Sequence, residues 1–364
     1  KKHEPDIYNK AYKVLQAKDY IILKMTGQFV SDFSDASGTN GMDIKNLCWS
    51  PEIFDAADLD IDKMPELHNS TDIAGILNQE ASQLTGIPEG VPVIVGGGDG
   101  PCATLGAGCI KDKQFYLTYG TSAWIGGTTK DLFLDEEKIL FTFAHVIPGY
   151  YAPTGTMQAA GASYAYIKDT LCQDEIAIAK RENRSVYQVM DELVEESPIG
   201  ANGLIYLPYP TGERSPRWNS IASASFMGIT MKNTKGDYIR AVLEGVAMNM
   251  AIILKAHQKY ADIDNLILTG GGAKGDVVAR ILADVLGCTM KRPDHVEEAT
   301  SMAAAVLAGI GAGIFKDASE IDKFLKIEDV TEPIVENYEY YQKRIDIFND
   351  CYSAMEGVYQ ELRG

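Results

Sequence analysis

Three apolar segments, each ending in a glycine-rich turn, constrain this chain most strongly. The first segment, residues 93–95, runs into Gly-Gly-Gly-Asp at 96–99, and a helix of small residues is predicted to start after this aspartate. The other two turns occupy residues 118–122 and 269–273. Glycine lets a backbone turn sharply and approach a ligand, and open α/β folds bind ligands at strand ends. The three turns predict a nucleotide held between two lobes, with Asp99 facing its terminal phosphate.

Length and charge narrow the class of protein. A chain of 364 residues suggests two domains, and a formal net charge of −18 argues against nucleic acid or an anionic membrane as a partner. The amides of glycine turns and a metal ion can still hold a phosphate locally. The six cysteines are scattered without a CxxC pair, which is typical of reduced thiols in a cytoplasmic protein and gives no support for a zinc site.

Hydrophobic periodicity predicts helices alternating with strands, and a change from helix to consecutive short strands near residues 108–114. Four β-segments at 114–119, 123–128, 140–146 and 150–153 predict an antiparallel meander that opens a second domain. A polar segment at 31–39 is interpreted as a solvated loop with a helix cap. Ser50 and Pro51 predict a helix start. Further predicted helices cover residues 4–25 in two parts, 158–171, 186–195, 235–260 (expected to be the longest), 276–286, 299–312 and 335–362.

Two familiar nucleotide motifs can be excluded. Residues 270–275 satisfy GxGxxG after a strand, but the dinucleotide fingerprint also needs an acidic residue about 20 positions on, at the end of a second strand. Asp294 comes too late in the chain for that role, so we reject NAD. No P-loop sequence occurs either. The five histidines show no spacing typical of a catalytic triad or a metal site, and we predict no metal-ligating residues.

Taken in order, these segments resemble the FGGY family of carbohydrate kinases over nearly the whole chain. The resemblance implies an α/β, actin/Hsp70/hexokinase-like (ribonuclease H-like) two-domain ATPase fold. Within the family, Ser-Asp-Ala-Ser-Gly-Thr at 34–39 and Gly-Glu-Arg-Ser-Pro-Arg-Trp at 212–218 are most similar to xylulokinases, and gluconate kinases share the second motif. The matching segments are residues 18–39, 95–99 with 107–108, 118–122, 207–228 with 237–244, and 268–276 with 298–303.

The resemblance also implies roles for individual residues. Asp99 would be the general base that takes a proton from a sugar hydroxyl as it attacks the γ-phosphoryl group of ATP. Mg²⁺ would accompany the nucleotide. The expected nucleotide- and phosphate-binding residues are Gly120, Thr121, Ser122, Gly161, Gly271, Gly272, Ala273 and Asp276.

Two departures from the family pattern affect these expectations. Gly100 and Pro101 follow the catalytic aspartate where the family has a polar residue, which would reshape the sugar pocket. The family's opening strand pair, with its Asp-x-Gly-Thr turn, has no counterpart before residue 1. We therefore expect residues 1–110 to form the remainder of the sugar-binding domain, residues 111–364 to form the nucleotide-binding domain, and the isolated chain to be inactive.

Several functional alternatives remain open from the residues and the resemblance. The leading hypothesis is an ATP-dependent kinase that converts D-xylulose to D-xylulose 5-phosphate. A second hypothesis is another FGGY substrate, such as gluconate, ribulose or glycerol. A third is a non-catalytic, actin-like ATP-binding regulator. The small-molecule sugar and ATP are the expected partners, and the resemblance implies a homodimer.

Overall fold

The structure is a computed structural model that describes residues 1–295 and 297–363. Its first part consists of short elements. These are α1 (Pro5–Lys10), α2 (Ala17–Thr26), β1 (Val30–Asp32), α3 (Phe33–Ser37), β2 (Met42–Asp43), β3 (Cys48–Trp49), α4 (Pro51–Ala56), β4 (Glu66–His68), β5 (Ile73–Ile76), α5 (Gln79–Thr85), β6 (Pro92–Ile94) and α6 (Asp99–Gly106).

The strands of this first part form two-stranded sheets. β1 pairs with β4 in parallel, whereas β2 pairs with β3 and β5 with β6 in antiparallel fashion. Local signals explain several element ends. Ser50 caps α4 by accepting a hydrogen bond from the backbone N–H of Ile53, with Pro51 in the first turn, as predicted. β6 ends just before the first glycine turn, and α6 begins directly after it.

The second part has longer elements. In chain order they are β7 (Gln114–Tyr119), β8 (Ala123–Thr128), β9 (Phe141–Ala144), β10 (Tyr151–Met157), α7 (Gly161–Leu171), α8 (Gln173–Glu182), α9 (Val186–Glu196), β11 (Ile205–Leu207), β12 (Ser225–Met227), α10 (Lys235–Gln258), β13 (Asn265–Thr269), α11 (Asp276–Leu286), β14 (Thr289–Pro293), α12 (Ala299–Gly311), β15 (Ile327–Thr331) and α13 (Val335–Arg363).

A seven-stranded sheet lies at the centre of this second part. Its strand order is β9-β10-β8-β7-β13-β14-β15. β7, β8, β10 and β9 pair antiparallel, as predicted, but they do not form a simple meander, because β10 lies between β8 and β9. β13 runs parallel to both β7 and β14. Because β7 and β13 are parallel neighbours, their carboxyl ends meet at one edge of the sheet. The second and third glycine turns therefore lie side by side.

The apolar core is distributed unevenly between the two parts. One large cluster of buried residues draws all its members from residues 115–359, and α10 is buried along most of its length. In the first part, Ile22, Val30 and Val95 form a small cluster of their own. α6 packs against the late helix α12 so closely that a Cβ on Gly106 would lie 1.7 Å from the carbonyl oxygen of Ala299. Only glycine fits at that crossing.

Several predictions about individual elements were wrong. The terminal helix α13, with 29 residues, is longer than α10, with 24. The first helix ends at Lys10, and Val14 instead donates its backbone N–H to the carbonyl of Lys63. The charge-rich helix α8 was not predicted. Among the helices described here, none is long and apolar enough to cross a membrane.

Candidate active site

Asp99 occupies the position that the sequence predicted, at the first residue of α6 and directly after the glycine turn. Gly98 is the N-cap of this helix. The Asp99 side chain is exposed and accepts one hydrogen bond, from the backbone N–H of Gly100 at 2.7 Å. It makes no ion pair with any residue in the described ranges. A carboxylate at a helix N-terminus is favoured by the helix dipole.

The turn before Asp99 is held by a chain of buried polar groups. The Ser34 hydroxyl accepts a hydrogen bond from the N–H of Gly98 at 2.9 Å and donates one to Asp32 Oδ2 at 2.5 Å. Asp32 is fully buried; it also accepts from the Ser70 hydroxyl at 2.9 Å and lies 3.2 Å from Lys18 Nζ. The prediction of a solvated loop at residues 31–39 was therefore wrong for its first half, although Asp32 does cap α3 as a cap was expected to.

Lys18 offsets the electrostatic cost of burying these carboxylates. Its ammonium group lies 2.8 Å from Asp19 Oδ1 as well as near Asp32. Burial works to lower the pKa of Lys18, but the two carboxylates outweigh it and raise the pKa above its usual value. Lys18 therefore stays a cation. Buried charges are stable only when paired and hydrogen-bonded. Lys18 shares α2 with Asp19, whereas Asp32 lies at the start of a different helix, α3.

A second carboxylate, Asp35, lies beside the same turn. A Cβ on Gly98 would be 3.5 Å from Asp35 Oδ1. Burial raises the pKa of Asp35 to about 6; Lys18 opposes this shift, and the charges of Asp32, Asp19 and Asp99 add to it. Asp35 and Asp99 thus form an electronegative mouth at the start of α6.

The second glycine turn is fixed by the start of α7. Gly161 donates its N–H to the carbonyl of Gly120 at 2.9 Å, and a Cβ on Gly161 would lie 2.5 Å from that same oxygen. The N–H groups of Ala160 and Ala162 both donate to the carbonyl of Thr121. With its carbonyls engaged in this way, the turn leaves the N–H groups of Thr121 and Ser122 without a backbone acceptor among the described residues. Such free amides suit a phosphate.

The third glycine turn packs against the end of β7. Gly270 has a φ of 89°, and a Cβ there would lie 2.6 Å from the carbonyl oxygen of Tyr119. A Cβ on Gly272 would lie 2.2 Å from the Tyr119 ring. Both glycines are required by this close approach. Ala273, the next residue, is fully buried, and its carbonyl accepts a hydrogen bond from Arg292 Nη1 at 2.9 Å.

A cavity of about 640 Å³ opens between these two turns, a size typical of small-molecule sites. Five of the predicted nucleotide residues line it, namely Gly120, Thr121, Gly161, Gly271 and Gly272. Three do not. Ser122 lies in the turn outside the lining, Ala273 is buried, and Asp276 points its exposed carboxylate at Arg292 Nη2, 2.6 Å away.

The far end of the cavity contains residues that the sequence did not single out. The Tyr164 hydroxyl donates a hydrogen bond to Asp191 Oδ1 at 2.8 Å, and the rings of Tyr164 and Tyr187 lie 5.2 Å apart. Burial raises the pKa of Asp191. Lys274 also lines the cavity and pairs with Glu297 at 2.7 Å. Aromatic side chains in a helical pattern are usually packing residues, so the sequence gave no signal for this end.

The two halves of the site are joined through Tyr116. Its hydroxyl donates to the carbonyl of Gly100 at 3.3 Å and accepts from Trp124 Nε1 at 2.9 Å. This places the start of α6 against the sheet, next to the strand that follows the second glycine turn. Across the described ranges, no group of three or more histidine, cysteine, aspartate or glutamate side chains could hold a metal ion.

Comparison with known proteins decides the family. The model of the FGGY family of carbohydrate kinases, N-terminal domain, matches residues 1–106, and the model of its C-terminal domain matches residues 115–312. This chain belongs to the FGGY family of carbohydrate kinases. The match confirms the family that the motifs resembled, and the chain is a carbohydrate kinase by family.

Individual FGGY kinases are similar over almost the full chain. The xylulose kinase of Staphylococcus epidermidis (strain ATCC 12228) is 31% identical over 363 residues, covering 99% of this chain and 69% of that protein. The gluconokinase of Bacillus licheniformis is 31% identical over 366 residues, covering 98% and 70%. The ligand-bound xylulose kinase from Lactobacillus acidophilus superimposes with a TM-score of 0.90 at 26% identity, covering 99% and 71%. The expected actin/hexokinase-like fold is thereby confirmed.

Proposed function

We propose that this FGGY kinase phosphorylates D-xylulose with ATP, giving D-xylulose 5-phosphate, and that Asp99 is the general base. The observation that carries the proposal is the Asp99 carboxylate, exposed at the start of α6 with a single hydrogen bond to its own helix. A phosphoryl transfer needs positioning and charge stabilisation more than covalent help from the protein. A free carboxylate beside the cleft suits the remaining task, which is to accept the hydroxyl proton.

The nucleotide would occupy the cavity between the second and third glycine turns. Thr121 and Ser122 would face the phosphates through their backbone N–H groups, while the N–H of Gly120 donates to the carbonyl of Ser122 and closes the turn beside them. Gly161 would let the turn approach α7. Gly271 and Gly272 would border the nucleoside. We retain Ala273 and Asp276 as residues that shape this turn from outside the lining.

Mg²⁺ would come with the phosphates of ATP in this proposal. The residues described do not form a metal cluster of their own. Mg²⁺ usually keeps several waters and is bound through one or two carboxylates plus substrate phosphates. When bound, Mg²⁺ would neutralise the charge that develops on the phosphates. We assign no protein ligand to it.

The wider organisation follows from the same proposal. Residues 1–110 would be the sugar-binding part that carries Asp99, and residues 111–364 the nucleotide-binding part. The partners would be the sugar and ATP, without nucleic acid or a membrane, in keeping with the net charge of −18. The six free cysteines fit a cytoplasmic location. A homodimer is a family-level expectation.

Gluconate is the second candidate substrate, since the gluconokinase relative is as similar in identity as the xylulose kinase relative. The test is sugar-dependent ADP release by the complete gene product over D-xylulose, D-gluconate, ribulose and glycerol. Strong turnover on D-xylulose supports the leading proposal, and turnover on gluconate alone moves the assignment there. ATP binding without turnover on any sugar favours a nucleotide-binding regulator.

A further inference from the structure

The loop with the Gly-Glu-Arg-Ser-Pro motif has no part in the reaction proposed above, yet it is held rigidly. Glu213 is buried, and its Oε1 accepts hydrogen bonds from the backbone N–H groups of Gln158, at 2.6 Å, and Arg214, at 2.8 Å. Its Oε2 accepts from Asn249 Nδ2 at 3.1 Å. The Ser215 hydroxyl donates to a backbone carbonyl at 2.6 Å. These bonds fix the backbone on both sides of Arg214.

The Arg214 side chain, by contrast, is nearly unpartnered. It is exposed, and its hydrogen bond to another side chain, from Nη2 to the Thr156 hydroxyl, is long at 3.4 Å. It forms no ion pair within the part of the chain that the structure describes. Arg217, three residues on, instead donates to Asn349 and stacks on Tyr352. A guanidinium offers five N–H donors, so most of the donors of Arg214 are free for a ligand.

The sheet places Arg214 on the same side as the start of α6. Thr156 lies directly opposite Trp124 in the pairing of β10 with β8. Side chains that are opposite each other on antiparallel strands share a face of the sheet. On that face, Trp124 Nε1 donates to the Tyr116 hydroxyl, which reaches the carbonyl of Gly100. Arg214, on the loop that contacts Thr156, and Asp99, at the start of α6, therefore lie over the same face of the sheet.

Aromatic side chains line the same face beside these two charged groups. The Phe143 ring lies 4.0 Å from the position of a Cβ on Gly100 and 3.3 Å from that of a Cβ on Gly38. Phe141, two residues earlier on β9, packs edge-on with Trp218 of the Arg214 loop at 6.5 Å. A cleft with apolar walls and a few well-placed polar groups is the usual form of a small-molecule site.

We propose that Arg214 binds the carbonyl or carboxylate oxygen of the sugar, at the end remote from the hydroxyl that Asp99 deprotonates. This inference rests on the proposed function. D-xylulose carries a ketone at C2 and would be phosphorylated at C5, and D-gluconate carries a carboxylate at C1 and a hydroxyl at its other end. A guanidinium only donates hydrogen bonds and a carbonyl oxygen only accepts them, whereas a hydroxyl can accept one from Arg214 but brings an O–H that needs an acceptor of its own. Arg214 therefore favours these substrates over a polyol of the same length.

The test combines a variant with a change in the sugar. Arg214→Met keeps the length of the side chain and removes its donors. The complete gene product and this variant are compared on D-xylulose, D-gluconate and xylitol, which has a hydroxyl in place of the ketone. Dissociation constants come from calorimetry and kcat/KM from ADP release. Arg181→Met, at an exposed arginine of α8, is the matched control.

We expect Arg214→Met to lower kcat/KM for D-xylulose by about 30-fold, which is the size expected for the loss of a hydrogen bond to a charged group. The kcat/KM for xylitol should change by less than about 3-fold. Arg214→Lys should recover part of the loss on D-xylulose, and the KM for ATP should stay unchanged. If gluconate is the substrate, Arg214→Met should lower kcat/KM for gluconate by more than it lowers kcat/KM for any neutral sugar.

Equal losses on D-xylulose and xylitol, or no loss on either D-xylulose or D-gluconate, would overturn the assignment of Arg214 and leave the proposed function intact. A wild-type protein that turns over no sugar would overturn both.

Discussion

Around Asp99 the supporting contacts are made by buried polar side chains, whereas around the nucleotide turns they are made by backbone atoms. Lys18, Asp32 and Ser34 hold the turn before Asp99 through hydrogen bonds and an ion pair. At the nucleotide turns, Gly161 and Gly270 bring main chain within 2.5–2.6 Å of where a side chain would begin. The apolar core follows the same division, with its large cluster confined to residues 115–359.

This difference teaches how each half should respond to mutation. The side of the cleft with Asp99 should tolerate changes in size better than the loss of a hydroxyl or a charge, because an unpaired buried polar group costs about 1–3 kcal/mol. The nucleotide side should be insensitive to nearby charges and intolerant of a Cβ at Gly161, Gly270 or Gly272. Each prediction below either breaks or sharpens that contrast.

The largest expected effect comes from Asp99→Asn. We expect kcat to fall by roughly 10²- to 10⁴-fold, because the amide cannot accept the hydroxyl proton. The measurement is sugar-dependent ADP release by the complete gene product at saturating substrates. Asp55→Asn, at an exposed position of α4, should retain full activity as the control. Turnover in Asp99→Asn within about 3-fold of wild type would remove Asp99 from the role of base.

Glu213 should make the stability of the protein depend on pH. It is a buried carboxylate in the second part of the chain, where the nucleotide turns are held by contacts between backbone atoms. Burial raises its pKa from 4.5 to about 7, so the native state holds a proton that the unfolded chain releases. Its contribution to stability therefore falls as the pH rises from 4.5 to about 7, by up to about 3 kcal/mol.

Thermal melts of wild type and Glu213→Gln at pH 5 and pH 8 measure this effect. The variant removes the titration, so wild type should lose stability relative to it between the two pH values. Asp35 has the same sign as Glu213, while His145 and His257, with pKa values lowered by burial to about 3 and about 4, have the opposite sign. These groups are common to both proteins and cancel in the difference. Parallel pH profiles would show that Glu213 does not titrate in this range.

Ser34→Ala should lower kcat by about 10-fold, because the N–H of Gly98 and the carboxylate of Asp32 both lose their shared partner. The KM for ATP should not change, which separates a shifted Asp99 from general unfolding. Ser31→Ala is a matched control, since the Ser31 hydroxyl is also buried and has no hydrogen-bond partner among residues 1–295 and 297–363. An equal loss in both variants would show that the chain from Lys18 does not position the catalytic turn.

The smallest effect is expected from Asp276→Asn. The sequence suggested that Asp276 contacts the nucleotide, but its side chain is 88% exposed and paired with Arg292. Exposed ion pairs contribute about 0–1 kcal/mol, so the KM for ATP should change by less than about 3-fold. A tenfold rise would restore Asp276 to the nucleotide site and show that the side chain turns inward when ATP binds.

The parts of the site that could be predicted are those encoded by local sequence. The glycine run after an apolar segment located Asp99 at a helix start, and the other two turns located Gly120 and Gly271 at the same cavity. These signals are short-range, because they depend on which residues permit a turn. The four antiparallel strands were predicted for the same reason, but not their order in the sheet.

The parts that could not be predicted depend on contacts between distant residues. The segment with Asp32 looked solvated because its hydroxyls and carboxylates are typical of loops, and only Lys18 from another helix makes their burial stable. Arg214 looked like one residue of a motif until the sheet register placed its partner Thr156 on the face of the sheet that carries the start of α6. Such relations follow from topology, which no local pattern contains.

The claim that side chains support Asp99 while backbone contacts support the nucleotide turns is tested most directly by calorimetry. ATP is titrated into Asp99→Asn and into Gly161→Ala. Asp99→Asn should bind ATP within about twofold of wild type, because no backbone support of the nucleotide turns involves Asp99. Gly161→Ala should lower the affinity for ATP by at least about tenfold, because the added Cβ would displace the carbonyl of Gly120. Loss of ATP binding in Asp99→Asn, or wild-type affinity in Gly161→Ala, would contradict the account.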